Sequence, residues 1–161
     1  MNDTLRNSAQ RVQNILKKFN ISAQVIEFNQ TTRTAQEAAQ TIGCEVAQIA
    51  KTLIFKGKNS GKAICVIASG INRIDEKKVA QLIGEPIEKP DAEFVLKYTT
   101  FAIGGVPPIG YDLEIKPLID QDLMQYKEIW AAAGTPFAVF NISPQELVKI
   151  TQGNVVDIKK I

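Results

Sequence analysis

Two apolar segments joined by a polar, glycine-containing turn set the strongest limit on the fold of this chain. Residues 53–55 (Leu-Ile-Phe) are apolar throughout, and residues 63–68 (Ala-Ile-Cys-Val-Ile-Ala) form a second apolar run. The connecting residues 56–62 carry two glycines and three lysines, a composition typical of a flexible turn. The pattern predicts an antiparallel hairpin at the centre of a buried sheet.

Helix signals precede and follow this hairpin. Apolar residues recur at helical spacing over residues 4–19, which predicts a first helix. Thr34 and Glu37 form a capping box, because each side chain can accept a hydrogen bond from a free N–H group at a helix start. Gly43 is a natural end for that helix. Residues 143–146 (Ser-Pro-Gln-Glu) repeat the capping pattern and predict another helix start.

The remaining elements follow from short apolar runs and turn residues. The sequence predicts strands over residues 23–28, 118–120, 129–132, 137–140 and 155–158, a helical turn within 46–53, and helices over 73–82 and 92–98. The chain has no internal repeat and no low-complexity linker. Residues 1–161 are therefore predicted to form a single compact mixed α/β domain.

The composition excludes several kinds of chemistry. The chain has no histidine, so Ser-His and Cys-His nucleophile pairs and imidazole zinc sites are excluded. Cys44 and Cys65 have neither metal-ligand spacing nor a disulfide framework. The net charge is +2, which gives no whole-chain argument for nucleic acid, although residues 51–97 are mildly basic. No run approaches ~18 apolar residues, so we expect a reduced, cytoplasmic protein without a membrane anchor.

A glycine-proline loop at residues 104–110 (Gly-Gly-Val-Pro-Pro-Ile-Gly) is the strongest candidate for a binding element. Glycine permits close approach of another molecule, and Pro107 and Pro108 make the backbone rigid. The loop lacks the Gly-Lys-Ser/Thr ending of a phosphate-binding loop, so it is better suited to shaping a pocket for a small polar ligand. A tight surface turn between two strands is the alternative.

Lys51 is the best single candidate for a charged site residue. Strand alternation would place it on one face with Leu53 and Phe55, at the mouth of a buried surface. There it could contact a phosphate or a polarised carbonyl; a surface lysine with a buried alkyl chain is the alternative. Thr52 would point to the opposite face, as an ordinary strand residue or a ligand contact.

Three further positions lie near small residues or element ends. Asp120 follows two apolar strand residues, which suits either a helix N-cap or a catalytic carboxylate. Gly134 could clear space for a ligand or allow tight packing. Tyr111 follows the loop and could offer its hydroxyl to the same pocket.

Taken together, these residues resemble the YbaK family of aminoacyl-tRNA deacylases, which is similar to the editing insertion domain of bacterial prolyl-tRNA synthetases. The matching segments are Thr34-Ala35, Ala38-Ala39, Ile-Ala-Lys-Thr-Leu at 49–53, the 104–110 loop, Leu-Ile-Asp at 118–120, Ala133-Gly134 and the helix start at 143–147. They span most of the chain. The combination of the Lys51 motif and the loop some fifty residues later carries the specificity.

The resemblance implies a mixed or antiparallel sheet, partly closed as a barrel and flanked by helices. It implies that Lys51 and Gly104 are catalytic and that no metal or cofactor takes part. The positions that it implies for substrate binding are Thr34, Thr52, Gly105, Val106, Pro107, Pro108, Gly110, Tyr111, Asp120 and Gly134. The expected partner is the 3′-terminal aminoacyl adenosine of a mischarged tRNA, with an aminoacyl-tRNA synthetase as a second partner and neither DNA nor membrane.

The chain departs from many relatives of that family at two positions. Tyr111 stands where a histidine often follows the loop, and Phe137 lies near another position that some relatives give to histidine. We expect these changes to affect pocket polarity and amino-acid preference. A pocket lined by Ala132, Phe137 and the loop prolines would favour small or apolar aminoacyl groups. Two alternatives remain open: a non-catalytic nucleotide-binding or synthetase-docking module, and a hydrolase of another small ester or amide.

Overall fold

An eight-stranded sheet organises the structure, and the predicted apolar hairpin lies at its centre. The computed structural model describes residues 6–161. Its strands are β1 (Ile26–Glu27), β2 (Ile49–Gly57), β3 (Ala63–Ser69), β4 (Ile87–Glu88), β5 (Leu118–Asp120), β6 (Ile129–Ala132), β7 (Ala138–Ile142) and β8 (Asn154–Val156). Its α-helices are α1 (Asn7–Lys18), α2 (Ala35–Ile42), α3 (Glu76–Ile83), α4 (Ala92–Thr99) and α5 (Pro144–Thr151). Short 3-10 helices cover Val46–Gln48 and Gln121–Gln125.

The sheet mixes antiparallel and parallel pairs, as the sequence predicts. Its order is β1-β7-β6-β2-β3-β5-β8, and β4 pairs with the end of β2. The β2–β3 pair is antiparallel and sets Lys51 opposite Ala68, whereas β6 runs parallel to β2 on the other side. Strands β3, β5 and β8 are parallel. The partly closed barrel that the resemblance implies is wrong: within residues 6–161 the sheet is not closed, because β1 and β8 form its two edges and do not pair.

Both faces of the central hairpin pack against other elements, which explains why residues 53–55 and 63–68 are all apolar. All seven residues of β3 are buried. Cys65 and Ile67 belong to a large core that also contains Val12 and Leu16 of α1. The alternate β3 residues belong to a second core beneath α3, with Phe55 and Val79. Each fully buried aliphatic side chain contributes about 1.5–3 kcal/mol, so these two cores hold the helices on the sheet.

Capping boxes form at two of the helix starts that were predicted from the sequence. The Thr34 hydroxyl accepts a hydrogen bond from the Glu37 N–H group at 3.0 Å, which completes the capping box of α2. Gly43 ends this helix in the left-handed conformation, with φ of 87°. Ser143 and Glu146 form the equivalent box at α5.

Other element boundaries differ from the sequence prediction. The strand predicted over 23–28 is reduced to β1, and the predicted turn over 46–53 keeps only three helical residues because β2 begins at Ile49. Helix α3 begins three residues later than predicted because Asp75 caps it. Thr4 and Leu5 of the predicted first helix lie outside the described residues. Among residues 6–161, no helix is long and apolar enough to cross a membrane.

Candidate active site

A cavity of about 590 Å³ lies beside β2 and brings together five of the residues that the sequence analysis singled out. These five lining residues are Thr34, Lys51, Thr52, Gly104 and Val106. They come from the start of α2, from β2 and from the glycine-proline loop. Residues that are far apart in the chain therefore share one concave surface, as expected of a ligand site.

The first half of the glycine-proline loop is held tightly against the segment after β6. Gly105 N–H donates to the Ala102 carbonyl at 3.2 Å, and Gly134 N–H donates to the Gly105 carbonyl at 2.8 Å. A side chain on Gly105 would meet the backbone of Gly134 and Thr135 at 2.6–2.7 Å, so only glycine fits. Because of this packing, the adjacent Gly104 has a defined position in the cavity wall.

Lys51 is half-buried on β2 and lines the cavity. Its Nζ atom donates a hydrogen bond to the Asn72 carbonyl at 3.4 Å. Burial lowers the pKa of Lys51 below its ordinary value, and the nearby Asp120 carboxylate partly opposes this shift. The group thus combines partial desolvation with a fixed position, which is unusual for a lysine that serves only solubility.

Basic side chains surround the cavity mouth. Arg33, Arg73 and Lys89 are exposed lining residues, and Glu76 is an acidic lining residue. None of the three cations forms an ion pair with a carboxylate within residues 6–161. The electrostatic balance therefore favours an anionic ligand at the mouth.

The inner wall is made of small and aliphatic side chains. Ala35 and Ala38 of α2, Ala50 of β2 and Ala131 of β6 line it and are buried. The cavity thus has basic residues at its mouth and an apolar interior, which fits a ligand that is anionic at one end and apolar at the other.

Comparison with known proteins identifies this arrangement. The family model described as "Aminoacyl-tRNA editing domain" matches residues 29–150, which include the five lining residues named first. The chain belongs to the aminoacyl-tRNA editing domain family.

Individual relatives agree with this assignment. A crystal structure of a candidate trans-editing enzyme for prolyl-tRNA synthetase superimposes with a TM-score of 0.91, at 43% identity over 98% of this chain and 100% of that one. The YwhH protein of Bacillus subtilis is 30% identical over 95% of this chain and 98% of its own length. EbsC of Enterococcus faecalis, a candidate Cys-tRNA(Pro)/Cys-tRNA(Cys) deacylase, is 27% identical over 78% of this chain and 76% of its own.

Several predicted site residues of this editing domain do not line the cavity. Pro108, Gly110 and Tyr111 line a second cavity of about 460 Å³ instead. Gly104 and Val106 of the loop therefore line the main cavity, whereas Pro108 and Gly110 line the second cavity. Phe137, which the sequence analysis placed beside Ala132 in the pocket, is not a lining residue, whereas Ala132 is.

Tyr111 holds the loop from the side of the second cavity. Its hydroxyl donates a hydrogen bond to the Pro107 carbonyl at 2.6 Å and lies 3.8 Å from the Cys65 sulfur. Burial raises the pKa of Tyr111 well above its ordinary value, so the phenol stays neutral. Burial also raises the pKa of the Cys65 thiol to about 12, so neither group supplies a nucleophile at neutral pH.

Asp120, Gly105, Pro107 and Gly134 also lie outside the cavity lining. Asp120 is 1% exposed, and its carboxylate caps the following 3-10 helix by accepting from Asp122 N–H. The N-cap alternative for this residue is therefore confirmed.

The sequence analysis missed three cations that line the cavity, Arg33, Arg73 and Lys89. The mild basic bias of residues 51–97 was a weak signal for Arg73 and Lys89, and Arg33 lies outside that range.

Thr52 has a hydroxyl that is buried in the cavity wall without a hydrogen-bond partner within residues 6–161. An unsatisfied buried hydroxyl costs about 1–3 kcal/mol, and an apolar replacement of the same shape removes that cost. We expect Thr52→Val to leave the thermal unfolding midpoint unchanged or to raise it. Thermal unfolding without ligand measures this, with Thr99→Val as control, because the Thr99 hydroxyl donates to the Val95 carbonyl at 2.7 Å. A lower midpoint for Thr52→Val would contradict the expectation.

Proposed function

We propose that this editing domain hydrolyses the ester bond of mischarged aminoacyl-tRNA in trans, without a metal or cofactor. The observation that carries the proposal is the single cavity in which Lys51 of β2 meets Gly104 and Val106 of the loop. Family membership supplies the substrate class. The similarity to a candidate trans-editing enzyme and to a candidate deacylase supports the reaction type.

The cavity suits the 3′ end of an aminoacylated tRNA. Its volume of about 590 Å³ lies within the usual range of ~300–1,000 Å³ for small-molecule sites. The exposed cations Arg33, Arg73 and Lys89 would bind the terminal phosphates, and Lys51, beside the terminal adenosine, would position the ester and stabilise the charge that develops on it. The aminoacyl group would then reach the alanine-lined interior, which favours small or apolar side chains.

The reaction requires little beyond positioning, because an aminoacyl ester is already activated. A water molecule attacks the ester carbonyl carbon, and the resulting oxyanion is stabilised by nearby donors. The N–H groups of Gly104 and Val106 are candidates, since neither donates to an acceptor within residues 6–161. The bond to the ribose oxygen then breaks, the ribose hydroxyl regains a proton, and the amino acid leaves as its carboxylate. The vicinal ribose hydroxyl can assist the attacking water.

A panel of mischarged tRNAs tests this function and its amino-acid preference. Wild-type protein is expected to deacylate tRNAs that carry small or apolar amino acids, with the same rate after EDTA treatment. Preference for a charged amino acid would exclude the proposed specificity. Thermal stabilisation by an aminoacyl-nucleoside analogue without any turnover would instead support a non-catalytic binding module. Turnover of free aminoacyl nucleosides at the rate of the tRNA substrate would favour a general small-ester hydrolase.

Because the cavity mouth is basic, we expect substrate binding to depend on ionic strength. We expect Arg33→Ala, Arg73→Ala and Lys89→Ala each to raise KM with little change in kcat, because phosphate contacts position the substrate without taking part in the reaction. Each lost contact should also reduce the slope of log affinity against log salt by about 0.7, the value for single strands. Steady-state deacylation at several salt concentrations measures both effects. Lys149→Ala, at an exposed lysine of α5 outside the cavity, is the control and should leave the slope unchanged.

The modest net charge of +2 also suggests weak intrinsic affinity for tRNA. An aminoacyl-tRNA synthetase that presents the mischarged tRNA would compensate for this weakness. Addition of the cognate synthetase should then lower the apparent KM.

A further inference from the structure

We propose that Asn72, clamped between the carboxylates of Asp120 and Asp122, is a positioning residue that fixes the Lys51 ammonium group in the cavity wall. Its catalytic consequence rests on the function proposed above, whereas the positioning itself does not. Asn72 contacts Lys51 through its backbone carbonyl, which accepts from Nζ at 3.4 Å. Its side-chain amide donates to Asp120 Oδ2 at 2.8 Å and to Asp122 Oδ2 at 2.9 Å.

The geometry of the amide explains why both carboxylates are needed. The Asn72 amide nitrogen carries two hydrogens, and each is used by one carboxylate. With both donors engaged the side chain has little freedom to rotate, and it holds its own backbone in place. The carbonyl that accepts the lysine hydrogen bond is therefore fixed through two charge-assisted bonds.

Asp120 is anchored independently of Asn72. Its Oδ2 atom accepts from Ser69 N–H at 3.0 Å, and its Oδ1 atom accepts from Asp122 N–H at 2.9 Å. A carboxylate that is 1% exposed must be well hydrogen-bonded, and these two donors together with the Asn72 amide meet that need. Asp120 thereby links the end of β3 to the end of β5 and supplies a rigid base for the clamp.

Backbone and side-chain hydrogen bonds also hold the turn between Ser69 and Asn72. Gly70 N–H donates to the Ile49 carbonyl at 2.8 Å, and a side chain at Gly70 would meet the Val46 carbonyl at 2.5 Å. The Ser69 hydroxyl donates to the Ala47 carbonyl at 2.8 Å. At the far end of the turn, Asn72 N–H donates to the Ser69 carbonyl at 2.9 Å, and the carboxylate clamp adds the two side-chain bonds that hold the lysine acceptor in its orientation.

The charges around Lys51 agree with this arrangement. Asp120 and Asp122 accept the hydrogen bonds of the Asn72 amide, and Lys159 Nζ forms an ion pair with Asp122 Oδ2 at 3.1 Å. Arg73 and Glu76 lie in the cavity wall. Among these groups, the Asp120 charge acts on Lys51 and raises its pKa against the effect of burial. Asp120 thus affects Lys51 in two ways. It holds Asn72, whose carbonyl accepts from the lysine, and its charge raises the pKa of Lys51.

Two variants separate these consequences. We expect Asn72→Ala to reduce kcat about tenfold with a smaller change in KM, because a misplaced catalytic group slows the reaction more than it weakens binding. We expect Asp120→Asn to lower the pKa of Lys51 further. If the protonated lysine is the active form, the alkaline limb of the pH–rate profile then moves to lower pH. Asn141→Ala is the matched control: its amide donates to Glu128 at 2.7 Å, and it lies outside the cavity lining.

The deciding measurement is a pH titration of the Lys51 side chain by NMR in lysine-labelled protein, assigned with Lys51→Ala. The expected result is an altered Lys51 resonance in Asn72→Ala and a lower titration midpoint in Asp120→Asn, with Asn141→Ala like wild type. An unchanged Lys51 resonance in folded Asn72→Ala would overturn the proposal, even if Asp120→Asn fails to fold. Because the titration needs no substrate, absence of wild-type deacylation would refute the proposed function alone.

Discussion

Lys51→Ala is expected to reduce tRNA deacylation by roughly 10²–10³-fold, the loss typical of a preorganised group that stabilises charge in a reaction. The reason is that Lys51 is the half-buried cation of the cavity, with its ammonium held by the Asn72 carbonyl. Alanine leaves both the substrate and this carbonyl without their charged partner. Single-turnover deacylation at saturating enzyme measures the chemical step separately from binding.

The fold should survive this substitution, because burial already opposes the charge on Lys51 and the buried Asp120 carboxylate keeps its hydrogen bonds from Ser69, Asn72 and Asp122. Lys56→Ala is the matched control. Lys56 is also half-buried on β2, but it contacts the Phe94 ring at 5.4 Å and does not line the cavity. We expect Lys56→Ala to retain near-wild-type deacylation. Equal activity of the two variants would show that Lys51 has no special role.

Gly104→Val is expected to reduce deacylation about 100-fold while the protein remains folded. Gly104 has φ of +99°, where a branched side chain is strained by about 1–3 kcal/mol. An added Cβ would also lie 3.2 Å from Arg33 Nε and 3.7 Å from Pro136 Cγ, at the cavity wall. The larger valine side chain therefore displaces the wall, and a shift of about 1 Å near a reacting group can cost 10²-fold in rate.

Gly84→Val separates backbone strain from the effect on the cavity. Gly84 ends α3 with φ of +93°, and an added Cβ there has no heavy atom within 4 Å. Both variants should lower the thermal unfolding midpoint by a similar amount, whereas only Gly104→Val should lose activity. Comparable activity loss in both variants would mean that instability, and not the cavity wall, explains the effect.

Helix starts and the central hairpin could be predicted from the sequence because they depend on neighbouring residues. The capping box of Thr34 and Glu37 needs only a spacing of three residues, and it forms as predicted. The hairpin of β2 and β3 follows from two apolar runs joined by one turn. The strand predicted over residues 23–28 is reduced to Ile26–Glu27, because within residues 6–161 its partner is β7, far along the chain, and only these two residues pair with it.

The two sides of the glycine-proline loop could not be separated from the sequence alone. The composition of residues 104–110 indicated a rigid pocket wall, but not which residues face which cavity. Contact of Gly105 with Gly134 and Thr135 holds the adjacent Gly104 at the main cavity, and Tyr111, which contacts Cys65, holds the other end at the second. The contacts with Gly134 and Cys65 join segments that no local pattern relates.

The mixed α/β class, the buried hairpin, the exclusion of histidine chemistry and the resemblance to editing domains all follow from the amino-acid sequence. Which side chains share the cavity depends on the packing of the folded chain. It added Arg33, Arg73 and Lys89 to the mouth and placed Asp120 behind Lys51. The physical reason is range: periodicity and capping act within a few residues, whereas the cavity depends on strand order and loop packing between residues up to about a hundred positions apart.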